Sequence, residues 1–251
     1  MTPFTLDLAC RIDPAQIMRS AGLTPDPWQA RLLRSEPSHT LLLSSRQIGK
    51  STVTGAMALK QALFHPGSLI LVLSVSQRQS GELLRRVLDF YSPLSALCGV
   101  KAESVLHIEF RNGSRIITLP GNESTIRGYS KVNLLIIDEA SEVPDQIYYT
   151  VRPMLAISHG HVIALSTPKG KRGWFYYEYD QGGAGWNRVK VMAEMCARMT
   201  PEFLAEEKRK LPAWFFEQEY HCIFADTEDQ LISEHHIAAA FQDDVEAFYA
   251  N

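Results

Sequence analysis

Leu41-Leu42-Leu43-Ser44-Ser45-Arg46-Gln47-Ile48-Gly49-Lys50-Ser51-Thr52 is a short apolar run, a polar turn and the opening of a segment of good helix formers that continues from Val53 to Leu63. Strand, loop and helix in that order are what a phosphate-binding loop requires. The backbone N–H groups of such a loop point inward at a polyphosphate, and the helix N-terminus adds unsatisfied donors and the positive end of its dipole. In that frame Ser45, Arg46, Gln47, Ile48 and Gly49 wrap the phosphates. Lys50 carries a mobile positive charge to the β- and γ-phosphates, Ser51 offers a hydroxyl to Mg²⁺, and Thr52 follows in the first helical turn. The usual pattern is G-x-x-x-x-G-K-[ST], and Ser44 stands at its first glycine. Taken alone, the stretch also reads as an ordinary helix cap.

A second stretch removes much of that ambiguity. Leu134-Leu135-Ile136-Ile137 ends in Asp138-Glu139, a central strand with two adjacent carboxylates at its end, where an unpaired buried charge would be costly. The spacing suits a division of labour, with Asp138 holding Mg²⁺ and Glu139 orienting and deprotonating an attacking water. A nucleotide hydrolase is the expectation from the two stretches together.

Other segments fit around them. Ser68 to Leu73 is a continuous apolar run followed by Gln77 and Arg78 at the start of a helix reaching about Tyr91. Polar residues at the carboxyl end of a parallel strand lie where ligands bind in open α/β sheets. Asn112-Gly113 between Val105–Phe110 and Arg115–Leu119 predicts a hairpin at a sheet edge. His161 to Leu165 is a further strand ending in Ser166-Thr167-Pro168, hydroxyls placed to sense a γ-phosphate. Lys169, Lys171 and Arg172 follow beside an aromatic run, as a nucleic-acid phosphate contact or an exposed basic turn. Upstream, Trp28-Gln29 either serves an adenine ring or opens a helix with a buried Trp.

Composition bounds the rest. At 251 residues and 45% hydrophobic, the chain can bury one generous α/β core. No signal peptide or membrane-spanning run is read, so a soluble intracellular protein without a membrane partner is expected. Cys10, Cys98, Cys196 and Cys222 are widely spaced, which favours free thiols over a disulfide or zinc framework. Seven of the 28 acids but none of the 25 Lys and Arg follow Ala225, so residues 1–225 carry a net +4, compatible with a basic surface.

The loop Ser45 to Ser51, the strand Leu134 to Glu139 and Ser166-Thr167-Pro168 together resemble the ATPase domain of the large terminase subunit, the DNA-packaging motor of tailed bacteriophages. The resemblance covers roughly residues 25–225, and Pro27-Trp28-Gln29 is similar to that family's adenine motif. It implies an α/β fold of the P-loop NTPase type (RecA-like/ASCE), a mainly parallel sheet flanked by helices with a small lid subdomain. The expected division is an N-terminal segment 1–37, an ATPase core 38–170, a lid 171–225 and an acidic linker 226–251.

It further implies ATP and Mg²⁺ as cofactors, and double-stranded DNA, a portal protein and a small terminase subunit as partners. A ring forming on the portal, a monomer in isolation and the host cytoplasm follow from the same likeness. Ser166 to Pro168 would couple hydrolysis to DNA movement. The transition-state arginine would be Arg46 within its own subunit or Arg127 entering a neighbour's site, the latter favoured. Relatives continue into a ribonuclease-H-like nuclease where this chain stops, so no nuclease activity is expected from these residues. Competing readings are a superfamily 2 helicase-like ATPase, which would need a second RecA-like lobe, and a nucleotide-gated assembly module, for which Glu139 would have no use.

Overall fold

A computed structural model describes residues 2–35, 39–120, 126 and 128–225. Among them, eight strands form one sheet: β1 (Thr40–Ser44), β2 (Leu69–Ser74), β3 (Val100–Ser104), β4 (His107–Phe110), β5 (Arg115–Pro120), β6 (Leu134–Asp138), β7 (His161–Ser166) and β8 (Asn187–Val191). Their order is β3-β4-β5-β2-β6-β7-β1-β8. From β5 to β8 all neighbours are parallel, and β3 and β4 pair antiparallel at one edge. The helices are α1 (Pro3–Ile12), α2 (Gln16–Ser20), α3 (Pro27–Arg34), α4 (Lys50–Phe64), α5 (Gln77–Tyr91), α6 (Asp145–Val151), α7 (Gly173–Asp180), α8 (Pro201–Lys210) and α9 (Ala213–His221).

The apolar strands are buried on both faces, and side-chain alternation divides each between two cores. Leu42, Ile70, Val72, Ile136 and Ile163 face a layer that includes Val53, Ala56 and Leu59 of α4 and Leu83, Val87 and Phe90 of α5. Leu41, Leu43, Leu71, Ile137 and Ala164 face the other layer, with Ile147 and Tyr148 of α6 and Trp174 and Phe175 of α7. Trp174 stacks on Tyr148 with ring centroids 3.9 Å apart and donates Nε1–H to the Val143 carbonyl at 3.0 Å. That stack packs α7 against the segment that follows β6. All four cysteines are free, with Cys10, Cys196 and Cys222 buried. Among the described residues, no helix is long and apolar enough to cross a membrane.

Most predicted elements form, with informative differences. The helix after the phosphate loop begins at Lys50, three residues before Val53, because Gly49 adopts φ 89° and turns the chain directly into it. The hairpin turns at Asn112-Gly113, yet β5 is more than an edge strand: it pairs parallel with β2 along Leu69–Ser74. Strand β8 escaped the sequence reading because Asn-Arg-Val-Lys-Val is half polar, although it covers β1 along its whole length. With β7 on one side of β1 and β8 on the other, β1 lies at the switch point of the sheet, where a crevice opens beyond the carboxyl ends of the strands.

Gly160, which leads into β7, has no room for a side chain: a Cβ there would meet the Val132 carbonyl oxygen at 2.0 Å. Gly160→Ala is expected to cost about 1–3 kcal/mol or more, read as a lower urea midpoint. Gly81→Ala is the matched control. Gly81 lies within α5 with nothing near its would-be Cβ, so that substitution should raise stability by about 0.5–1 kcal/mol.

Candidate active site

The carboxyl ends of β1 and β6 bring the two decisive stretches together. Lys50, 7% exposed, places Nζ 3.6 Å from Glu139 Oε1. Ser51 Oγ donates to Asp138 Oδ2 at 3.3 Å, and the Glu139 N–H donates to Asp138 Oδ1 at 3.1 Å. Asp138 is 6% exposed. Burial first, and the neighbouring Glu139 second, push its carboxyl up to about 6, against the pull of Lys50. Glu139 itself is left-handed, φ 51°, a strained backbone for a residue with a side chain. Lys50, Ser51 and Glu139 line a cleft of about 720 Å³ with Gln29, Arg46, Gln47, Gly49, Thr52 and Thr167, and Asp138 lies buried behind Ser51.

Side chains beyond the loop hold it in shape. Gln29 on α3 accepts from the Asp26 N–H at 2.9 Å and donates Nε2–H to the Gly49 carbonyl at 3.2 Å. A Cβ at Gly49 would lie 2.7 Å from that Nε2, so a side chain there would push the Gln29 amide aside, while φ 89° is what requires glycine. Arg198 donates to the Ile48 carbonyl at 3.1 Å and pairs with Asp26 at 2.9 Å. The Ser45 N–H donates to Val191 of β8 at 2.9 Å, and Arg46 forms an ion pair with Glu219 of α9. Ser44 closes β1 in register with Val191 and does not adopt positive φ, so the missing first glycine carries no conformational cost here.

The comparisons with known proteins converge on this geometry. Residues 41–239 match the family model described as Terminase large subunit, T4likevirus-type, N-terminal. The chain belongs to the terminase large-subunit family. The terminase large subunit of Thermus phage G20c is 22% identical over 219 residues, 80% of this chain and 45% of that protein. The probable terminase large subunit of Enterobacteria phage P7 is 27% identical over 170 residues, 62% of this chain and 34% of its own. The chain thus spans less than half the length of either relative. Among solved structures, the large terminase ATPase domain of Thermus phage P74-26 superimposes with a TM-score of 0.71 at 19% identity, covering 83% of this chain and 97% of that one. The large terminase of bacteriophage HK97 gives 0.64 at 14%, covering 80% and 50%. The fold is therefore the mainly parallel α/β architecture of large terminase domains.

Within this terminase chain some expected site residues converge and others do not. Gln29, Arg46, Gln47, Gly49, Lys50, Ser51, Thr52, Glu139 and Thr167 line the cleft. Trp28 does not: it is 4% exposed and packs in the core, because residues adjacent on a helix face different ways and α3 turns Gln29 to the loop. Ile48 is likewise fully buried and anchors the loop from beneath. Ser166 Oγ accepts from the Ser141 N–H at 3.1 Å and the Thr167 carbonyl accepts from Ser141 Oγ at 3.0 Å, tying the end of β7 to the turn after Glu139; Pro168 is buried beside them. Lys169 pairs with Glu142 on the cleft wall, and Lys171 and Arg172 also have partners within the protein. Arg127 and the acidic stretch 226–251 lie outside the described residues. Arg198 and Glu219 were not foreseen, since neither belongs to a local motif and only folding brings them to the loop.

The raised carboxyl of Asp138 has a measurable sign. A group whose folded value exceeds its ordinary 3.8 is destabilising when ionised, so the penalty is absent below 3.8, grows with pH and is complete above about 6. In the chelated protein without nucleotide, Asp138→Asn should therefore unfold at higher urea than wild type near about pH 8, by roughly 2–3 kcal/mol. The gap should close as pH falls towards 3.8.

Proposed function

We propose that this chain is the ATP-hydrolysing motor domain of a terminase large subunit, turning hydrolysis into translocation of double-stranded DNA into a procapsid. The single observation that carries the reading is the Lys50–Glu139 pair at 3.6 Å, on the lip of one cleft with Ser51 and Asp138 beside it. A module that only bound nucleotide would have no use for a carboxylate held there.

Lys50 would leave Glu139 for the β- and γ-phosphates, while the loop's N–H groups and the α4 N-terminus hold the chain of phosphates. Glu139, released from its ion pair, then accepts a proton from the attacking water. A bond forms from water oxygen to Pγ, the bond from Pγ to the β-bridging oxygen breaks, and ADP leaves. The residues fit a hard divalent ion: Asp138 and the Ser51 hydroxyl are oxygen donors, and the buried Asp138 beside Glu139 lacks enough positive charge to stay ionised on its own. Mg²⁺ held there would shield the phosphate charge from the nucleophile.

Arg46 is engaged with Glu219, which supports assigning the transition-state arginine to Arg127 from a neighbouring subunit. Ser166, Thr167 and Pro168 would report the state of the γ-phosphate through Ser141. Lys169, Lys171 and Arg172 are the candidates for DNA contact; of the expected lid 171–225, α7 and β8 belong to the core and the sheet, which leaves 192–225 for that role. The portal protein, a small terminase subunit and further copies of this chain in a ring are the partners this reading requires, in the host cytoplasm.

Steady-state ATP hydrolysis per subunit, followed against protein concentration, tests the proposal. Glu139→Gln should lower the rate by about 10²–10⁴ while retaining ATP binding. A specific rate that climbs with concentration, is lost in Arg127→Ala and is restored by mixing with Glu139→Gln protein supports a shared site. Tight ATP binding with no phosphate release by the wild type would sink the motor reading, and a concentration-independent rate would return the arginine role to Arg46.

A further inference from the structure

Four cations line the cleft: Arg46, Lys50, Arg86 and Arg198. Three already have carboxylate partners, Arg46 with Glu219, Lys50 with Glu139 and Arg198 with Asp26. Arg86, on α5, is exposed and has neither a hydrogen bond nor an ion pair among the described residues. We propose that Arg86 is a ligand of the nucleotide's phosphates, supplied within the same chain from the helix that follows β2. The inference rests on the nucleotide reading of the cleft.

The packing fixes where this arginine starts. Gly55 of α4 would, if it had a Cβ, place it 3.3 Å from Arg86 Cβ, so the two helices touch backbone to side-chain base at this point. Leu83, Leu84, Val87 and Phe90 are buried, with Leu83 and Phe90 one turn to either side of Arg86, and they leave α5 little freedom to roll. Side chains on a helix lean towards its N-terminus. Arg86 therefore leans towards Gln79, two turns earlier, at the end of α5 that lies beside the carboxyl edge of the sheet. Gln79 and Arg86 both line the cleft.

Charge supplies the rest of the argument. A triphosphate carries more negative charge than Lys50 and one divalent ion offset, and Arg46 and Arg198 would have to abandon acidic partners to help. Abandoning Glu219, only 4% exposed, would leave a buried carboxylate unpaired, which is costly. Arg86 meets no such obstacle, and its planar fork matches phosphate oxygens.

Calorimetric titration of the full chain with Mg–ATP and, separately, with inorganic tripolyphosphate distinguishes the possibilities, using wild type, Arg86→Ala and Arg86→Lys. Arg86→Ala is expected to weaken both ligands about 10- to 100-fold, the range that loss of a charged hydrogen bond commands. Arg86→Lys should recover part of that loss as a point charge, with thermal midpoints unchanged across the set. Arg86→Ala binding both ligands as wild type does would overturn the proposal. Weakened ATP with unchanged tripolyphosphate would also overturn it, by moving the contact to the base or ribose. Wild-type protein that bound neither ligand would instead refute the nucleotide reading beneath it.

Discussion

Placing a lysine beside two carboxylates at the carboxyl edge of a parallel sheet sets one positive group against two negative ones, with only part of the set open to water. Lys50 is almost wholly buried, Asp138 is buried and pushed towards protonation, and Glu139 is held between them in a strained backbone conformation. Removing one partner from such a set exposes the desolvation cost of the rest. The sheet around them is correspondingly rigid: four central strands of aliphatic residues pack on both faces, so the strand ends hold these groups at fixed separations. A cleft built this way is poised for a ligand that brings both negative phosphate and a positive metal ion.

The loop itself is stabilised from outside. Gln29 and Arg198 bond the carbonyls of Gly49 and Ile48 and so hold the loop from two sides. Asp26 joins the two clamps, since its N–H bonds Gln29 and its carboxylate pairs with Arg198. Glu219 then links Arg46 to α9, so the loop touches three separate segments distant in sequence: the N-terminal helices, the turn after β8 and the last described helix. The loop is thus in direct contact with Arg198 and Glu219, residues far along the chain.

Some expectations survived because their signals were local. The Gly-Lys-Ser start of α4 works through the φ of one glycine and the backbone of one helix turn. Asp138-Glu139 follows four aliphatics whose only stable place is a central strand. Trp28 was misplaced for the opposite reason. Its neighbour Gln29 does reach the loop, but on α3 the two side chains point to different surroundings, and spacing from the phosphate loop does not say which turns inward. Strand β8 was missed because an edge strand with one polar face has a weak pattern, even though β1 is only half covered without it.

By itself, the sequence determined the strand–loop–helix, the acidic strand end and the parallel α/β class, because each follows from backbone geometry and side-chain periodicity within a dozen residues; the family came from the resemblance of three motifs in order. Tertiary structure alone decided which cations in the cleft are already paired, that Arg198 and Glu219 belong to the loop, that Gly160 leaves no room for a side chain, and that Arg86 lines the cleft with no ion pair or hydrogen bond among the described residues. Those outcomes depend on distances between segments far apart in the chain, 172 residues in the case of Asp26 and Arg198. Neither composition nor spacing encodes such distances; they arise only when both cores are packed.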